Sequence, residues 1–470
     1  MVFTSVAFTV FFLPAVILVY NVVPQKLIHV RNAVLLAFSL VFYAWGGVGY
    51  LSLLLVSVAI NYLAGLAIGA AKTGKRILPR GVLCVAVFLN LALLGVFKYA
   101  NFFTGILAGF GVGKATSIAL PIGISFFTFQ GMSYVFDVYR GQAEVAKNPL
   151  KVALYISLFP QLVAGPIVRY TDVEAELASR HVSPSDFAEG AIRFMLGYGK
   201  KLLLANAMGE IADRAFSRTG TELLSSPLAW LGAVGFALQI YFDFSAYSDM
   251  AIGLGRMLGF HFNENFDYPY VSSSVTEFWR RWHISLSTWF RDYLYIPLGG
   301  NRCRVPRQIF NLLVVWSLTG LWHGANWTFI VWGLWYGALL IIEKFVIGKR
   351  IERIPRVIRH AVTLILVLIG WVLFRSDTLG NAVEYVRAMF GFRFADVREF
   401  VFLLREYTVE LVVSLVAIFP IKKIILSRLG GKRASPVLQI LTASFSFIVF
   451  GAAYMRLVSG SFMPFIYFQF

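Results

Sequence analysis

Charge and cysteine are both scarce in this sequence. Only 14% of its 470 residues are Asp, Glu, Lys or Arg, against about a quarter in soluble domains, which excludes an ordinary soluble chain. The two cysteines, Cys84 in an apolar run and Cys303 in a basic loop, are too few for a disulfide framework or a thiolate metal site. Acids are scarcer than bases, 24 against 42, which leaves a formal charge of +18. On a soluble protein that excess would raise nucleic acid as a partner. Here the basic residues gather between apolar blocks: Lys72, Lys75, Arg76 and Arg80; Arg302, Arg304 and Arg307; 344–359; and Lys422, Lys423, Arg428, Lys432 and Arg433. Short basic loops of this kind mark the cytoplasmic side of a membrane protein, so no nucleic-acid partner is expected.

Several motifs are also missing. Residues 109–117, GFGVGKATS, imitate a phosphate loop but lack its first glycine and its final hydroxyl residue. There is no Gly-x-Ser-x-Gly and no His-Glu-x-x-His, and His261, His283 and His323 fall on different segments, so no metal is expected. No internal repeat relates the two halves, which argues against a paired-repeat transporter.

What the chain does have is apolar mass. It is 58% hydrophobic, with 44 Phe, 21 Tyr and 11 Trp spread from end to end. This composition predicts an all-α, polytopic integral membrane protein. Residues 1–20 read as a first membrane helix, not as a removable signal peptide. Further candidate spans are two within 31–70, then 81–98, a weaker 99–112, 118–138, 151–168, 187–208, 226–260, 308–343, 359–374, 406–421 and 436–458. Allowing for re-entrant and interfacial pieces, about 10–12 crossings are expected. Residues 169–190 and 375–405 are the sizeable polar connections, and both suit short interfacial helices.

Three segments carry chemistry. In 272–302, Ser274 and Glu277 have capping-box spacing, so a helix is predicted to start near Val275. At 100° per residue, Phe278, Trp279, Trp282, Leu286, Trp289, Phe290 and Tyr293 share one arc, with Arg280, Arg281, Arg291 and Asp292 opposite and His283 at the edge. Four ionised groups cannot face lipid, so this segment lies at the interface or is packed inside the protein. In 311–337, His323 is the one titratable side chain other than tyrosine, and a lone intramembrane ionisable group points to function. If the basic stretches 302–307 and 344–359 are both cytoplasmic, the intervening residues, about 36 at 1.5 Å each, cross twice and place 319–326 at the turn. His323 would then lie deep in the membrane or toward its outer face. In 241–260, Asp243, Asp249 and Arg256 sit in apolar surroundings, where a carboxylate could orient a histidine or pair with Arg256 or Arg280. Pro121, Pro160 and Pro166 interrupt the apolar segments 121–140 and 157–170, as tolerated where a broken helix lines a cavity or is buried in protein.

These residues carry a resemblance. FWRRWHISLSTWFRDYLYIPLGGNR at 278–302, followed by GLWHGANWTFIVWG at 320–333, resembles the membrane-bound O-acyltransferase family, in the bacterial branch that contains the alginate O-acetylation and D-alanyl transfer proteins. PIGISFFTFQ, FPQLVAGPIVR and YFDFSAYSDMAIG precede them in the expected order, so the likeness covers most of the chain. The YIPLGGNR ending and the length are closer to the alginate-acetylation type. The resemblance implies a helical ring with a central funnel, and an enzyme passing an acyl group, most simply acetyl, from a cytoplasmic thioester to a hydroxyl outside. It implies His323 as the catalytic histidine and His283 as the second one. Substrate contacts are expected from Trp322, Asn326, Asp249, Arg291 and Arg302. As co-substrate it implies acetyl-CoA or an acyl carrier protein, with no permanently bound cofactor. As partners it implies membrane lipid and an extracytoplasmic polysaccharide or SGNH-type acetyltransferase, and as location the bacterial cytoplasmic membrane. A single domain over 1–470 is expected, with a catalytic core over about 118–345 and peripheral helices at 1–117 and 346–470. D-alanyl transfer to teichoic acid, a non-catalytic acyl-carrier transporter and a scaffold in a polysaccharide-export complex stay open as alternatives. So does an acyl-histidine route in place of general-base catalysis.

Overall fold

The structure is a computed structural model, and it describes residues 1–74, 78–221, 223–394, 397–421 and 436–460. Lys75, Arg76 and the basic group at Lys422, Lys423, Arg428, Lys432 and Arg433 lie outside the described residues. Among the described residues every regular element is helical. Six helices among the described residues are long and apolar enough to cross a membrane: Val48–Thr73, Pro79–Gly109, Ser226–Met257, Trp327–Arg353, Arg356–Arg375 and Val437–Val458. Three shorter apolar helices are Ala7–Val22, Ile28–Ala44 and Thr408–Ala417. The fold is that of an all-α, multi-pass membrane protein. The chain divides into two compact units, Met1–Phe194 with Tyr247–Glu264, and Met195–Ala246 with Asn265–Phe470.

The first unit is organised by the Ile124–Arg140 helix, whose side chains are buried on nearly every face. It buries polar side chains as well, among them Gln130 and Asp137, and glycines let it close on its neighbours. A Cβ added at Gly131 would strike the Asn61 side-chain amide, and one at Gly65 would strike the Tyr134 ring. Asn61 and Asn90 exchange two side-chain amide bonds of 3.0 Å, joining the Val48–Thr73 and Pro79–Leu94 helices by the kind of interhelical hydrogen bond that lipid favours. The proline-broken segments meet each other. Gly123 is left-handed at φ 78°, and a Cβ there would lie 2.6 Å from the Leu162 carbonyl oxygen, so only glycine lets the two breaks touch.

In the second unit the tightest packing is a hairpin of the Val305–His323 and Trp327–Ile341 helices. Added Cβ atoms at Gly320 and Gly333 would each strike a backbone oxygen of the facing helix, that of Phe329 and Trp316 respectively. Backbones approach this closely only over small residues. The turn falls at 324–326. The basic flanks meet at the other end, where Lys344 Nζ donates to Asn301 Oδ1 at 2.6 Å and to Gln308 Oε1 at 2.8 Å. The buried acids differ from expectation in their partners. In the second unit Asp243 pairs with Lys201, both nearly inaccessible. In the first, Asp249 pairs with Arg193 at 2.8 Å and Arg256 with Asp186 and Glu189. Ion pairing was legible, but the cations come from other helices, which periodicity within one segment cannot reveal.

Candidate active site

The Val275–Arg281 helix starts at the predicted residue. Ser274 Oγ accepts from the Glu277 amide at 3.0 Å, while the Glu277 carboxylate turns back to the Ser273 amide, one residue earlier than a capping box requires. The remaining first-turn amides, Val275 and Thr276, donate to the Glu343 carboxylate at 2.8 and 3.2 Å. A carboxylate at a helix N-terminus meets both unsatisfied N–H groups and the positive end of the dipole.

The sequence reads 272–302 as one amphipathic helix, but the structure breaks it. Trp282 turns extended, and His283 takes the left-handed conformation, φ 44° and ψ 53°. A left-handed non-glycine residue costs about 1–2 kcal/mol. Asn265 holds the break open: its carbonyl accepts from the Ile284 amide at 2.9 Å, and its Oδ1 accepts from the Ser285 amide at 3.1 Å and hydroxyl at 2.9 Å. The Ile284–Phe290 helix is thus capped from outside its own strand of sequence. The kink carries His283 from the edge of the aromatic arc to the inside, where it is 2% exposed. The arc itself is packed within protein, with Phe278, Trp279, Trp282, Leu286, Trp289, Phe290 and Tyr293 all buried, so the segment is not a headgroup anchor.

His323 is the last residue of its helix, 6% exposed, at the hairpin turn. Its ring stands edge-on to Trp322 and Trp332, with centroids at 5.0 Å from each, and to Phe374 at 5.4 Å. The His283 ring lies 6.4 Å from it, with Trp322 at 6.0 Å, Phe266 at 6.1 Å and Phe244 at 6.3 Å completing the surround. Trp279 wedges against Trp316, Trp332 and Tyr336, locking the 275–281 helix onto the hairpin. Neither ring nitrogen of His283 has a hydrogen-bond partner among the described residues. Burial pushes its imidazole far below the ordinary value, to about 3, so it is neutral at physiological pH.

The other candidates are placed differently. Trp322 belongs to the histidine cluster. Asn326 caps the Trp327–Ile341 helix, accepting from the Thr328 amide at 3.2 Å and donating to the Asp377 carbonyl at 3.1 Å. Arg291 is exposed and pairs with Asp292 at 2.7 Å, and Arg302 is exposed. Asp249 lies in the first unit, where Arg193 bridges it to Glu264. Sequence reasoning did not find Asn265, Glu343, Phe266 or Phe374. None falls in a periodic pattern or a motif, and each acts through a contact distant in sequence.

Two buried histidines thus lie 6.4 Å apart in an aromatic enclosure, one of them at a helix-hairpin turn, inside a multi-pass membrane protein. The profile of the membrane-bound O-acyltransferase family matches residues 123–352. With the full-length likeness that follows, the chain belongs to that family, and it is a membrane O-acyltransferase. It is 41% identical to the probable alginate O-acetylase of Azotobacter vinelandii over 100% of both chains. It is 45% identical to that of Pseudomonas aeruginosa, over 83% of this chain and 75% of the relative. It is 34% identical to the peptidoglycan O-acetyltransferase of Helicobacter pylori, over 75% and 72%.

Proposed function

We propose that this enzyme transfers an acetyl group from a cytoplasmic thioester, acetyl-CoA or an acetylated carrier protein, to a hydroxyl of an extracytoplasmic polysaccharide of the alginate kind, or to an SGNH-type partner that completes the transfer. The setting is the bacterial cytoplasmic membrane, and residues 118–345 hold the catalytic core, with 1–117 and 346–470 peripheral. The observation that carries this reading is the pairing of His323 with His283, 6.4 Å apart inside a ring of tryptophan and phenylalanine.

In this reading His323 is the general base. Its neutral imidazole takes the proton of the acceptor hydroxyl as that oxygen bonds to the thioester carbonyl carbon. The tetrahedral intermediate collapses by breaking the C–S bond, and the proton passes from His323 to the departing thiolate. The products are an O-acetyl ester and a free thiol. A neutral His283 stabilises the developing oxyanion by N–H donation, and in a dry enclosure such a dipole acts more strongly than in water. Trp322 and Asn326 border the acceptor, while Arg291 and Arg302 take the donor's phosphates by charge-assisted hydrogen bonds. Asp249, held by Arg193, is given no part in the bond changes.

General-base assistance is worth about 10²–10⁴ in rate. His323→Ala, expressed at wild-type level in cells, is expected to reduce the O-acetyl content of surface polysaccharide to background. Unchanged content would overturn the proposal and favour a scaffold.

A further inference from the structure

Two arginines in the first unit are buried without a carboxylate partner. Arg31, in the first turn of the Ile28–Ala44 helix, is 2% exposed, and Arg180, just after the Tyr170–Ala178 helix, is 7% exposed. Both stand against one side chain, Tyr20, with guanidinium carbons 4.5 Å and 5.6 Å from its ring centroid. Arg180 also covers the Phe260 ring at 4.4 Å. Their hydrogen bonds go to neutral acceptors. Arg31 Nε donates to the Val23 carbonyl at 2.9 Å. Arg180 Nε donates to Tyr20 Oη at 2.8 Å and the Leu258 carbonyl at 3.1 Å, and its Nη1 donates to Asn32 Oδ1 at 2.6 Å and the Glu176 carbonyl at 3.1 Å. The nearby Glu176 carboxylate is engaged by the backbone amide and ring of His261. Arg31 Nη1 and Arg180 Nη2 are left with no hydrogen-bond partner among the described residues.

That arrangement is costly as it stands. A buried cation needs an anion or a full set of acceptors, and here two like charges are close enough to oppose each other, with burial further disfavouring the charge on Arg180. Rings supply part of the compensation but leave the two nitrogens unmet. Both guanidinium groups lie against the one Tyr20 ring, and a guanidinium's forked donors match the oxygens of a phosphate. Arg31 opens an apolar helix, and in a multi-pass membrane protein such helix ends lie at headgroup depth, where lipid phosphate is abundant. The flanking loops 23–27 and 179–183 are joined by a Gln25 Nε2 to Val182 carbonyl bond of 3.3 Å, which an entering headgroup would part.

We propose that Arg31 and Arg180, arranged around Tyr20, form a binding site for a phosphate-bearing anion, separate from acyl transfer. The test uses the full-length protein purified in neutral detergent, with thermal unfolding and native mass spectrometry as readouts. The probes are dioleoyl phosphatidylglycerol, dioleoylglycerol as the same tails without phosphate, and inorganic phosphate against sodium chloride at equal ionic strength. Phosphatidylglycerol is expected to raise Tm by several degrees, saturating at one bound lipid per chain, and dioleoylglycerol is not. A shift with phosphatidylglycerol alone identifies a lipid headgroup, and an equal shift with inorganic phosphate identifies a soluble phosphate; either supports the site. Arg31→Gln should abolish the shift. Arg31→Lys and Arg180→Lys, which keep the charge and the fold, should weaken binding about tenfold by losing the forked geometry. Equal shifts from phosphatidylglycerol and dioleoylglycerol in the wild type, or lysine variants that bind phosphatidylglycerol as tightly as wild type, would overturn the proposal.

Discussion

At the scale of single residues, His323 and His283 differ in how far the sequence could describe them. His323 stands alone among apolar residues, and the cost of placing it there makes it conspicuous. His283 looked like a boundary histidine on an amphipathic helix, and its burial comes from a left-handed turn that Asn265, eighteen positions upstream, stabilises. Helical periodicity carries no information about such a cap. Its environment fixes a pH response. The folded value near 3 lies below the ordinary 6.5 of the unfolded chain, so between those values the unfolded state binds more protons and stability rises with pH. Acidification from pH 7 to pH 4 should therefore lower the Tm of the wild-type protein more than that of His283→Phe. Thermal unfolding across that range checks the difference, and parallel curves would contradict a buried neutral His283. Above pH 5 the same group should contribute no titration to the rate.

At the scale of elements, the hairpin at 305–341 was readable because basic flanks and length left room for one turn, and the turn falls at 324–326. The closeness of its helices was not readable, since Gly320 and Gly333 sit among many glycines and only the facing backbone gives them meaning. Gly333→Val would push a side chain into the Trp316 carbonyl and is expected to cost several kcal/mol, seen as loss of folded protein in detergent. Glu343 is the companion case. Its carboxylate caps the Val275–Arg281 helix from the end of the hairpin's second helix, joining the two segments that carry the histidines. Glu343→Ala should cost about 1 kcal/mol of stability and lower the acetylation rate through misplacement of His283. Glu343→Gln, which keeps one acceptor oxygen, should recover part of both. Equal activity in the alanine variant and the wild type would show that the cap is unnecessary for the site.

At the scale of the whole molecule, composition alone separates membrane from soluble, and the surplus of base over acid gathers in the sequence between apolar blocks. Lys344 bonds to Asn301 and Gln308 at the end of the hairpin opposite its turn. The partners of the buried acids, the Arg31 and Arg180 cluster and the aromatic enclosure were hidden, because each assembles from segments far apart in the chain. The central claim is that His323 deprotonates the acceptor as the thioester is attacked. It is tested most directly with purified protein in lipid vesicles, supplied with acetyl-CoA and a polysaccharide hydroxyl acceptor, by following thiol release together with O-acetyl formation. Wild type should release one thiol per ester formed, and a folded His323→Ala protein should fall by about 10²-fold or more in both. Ester formation at the wild-type rate by His323→Ala would contradict it.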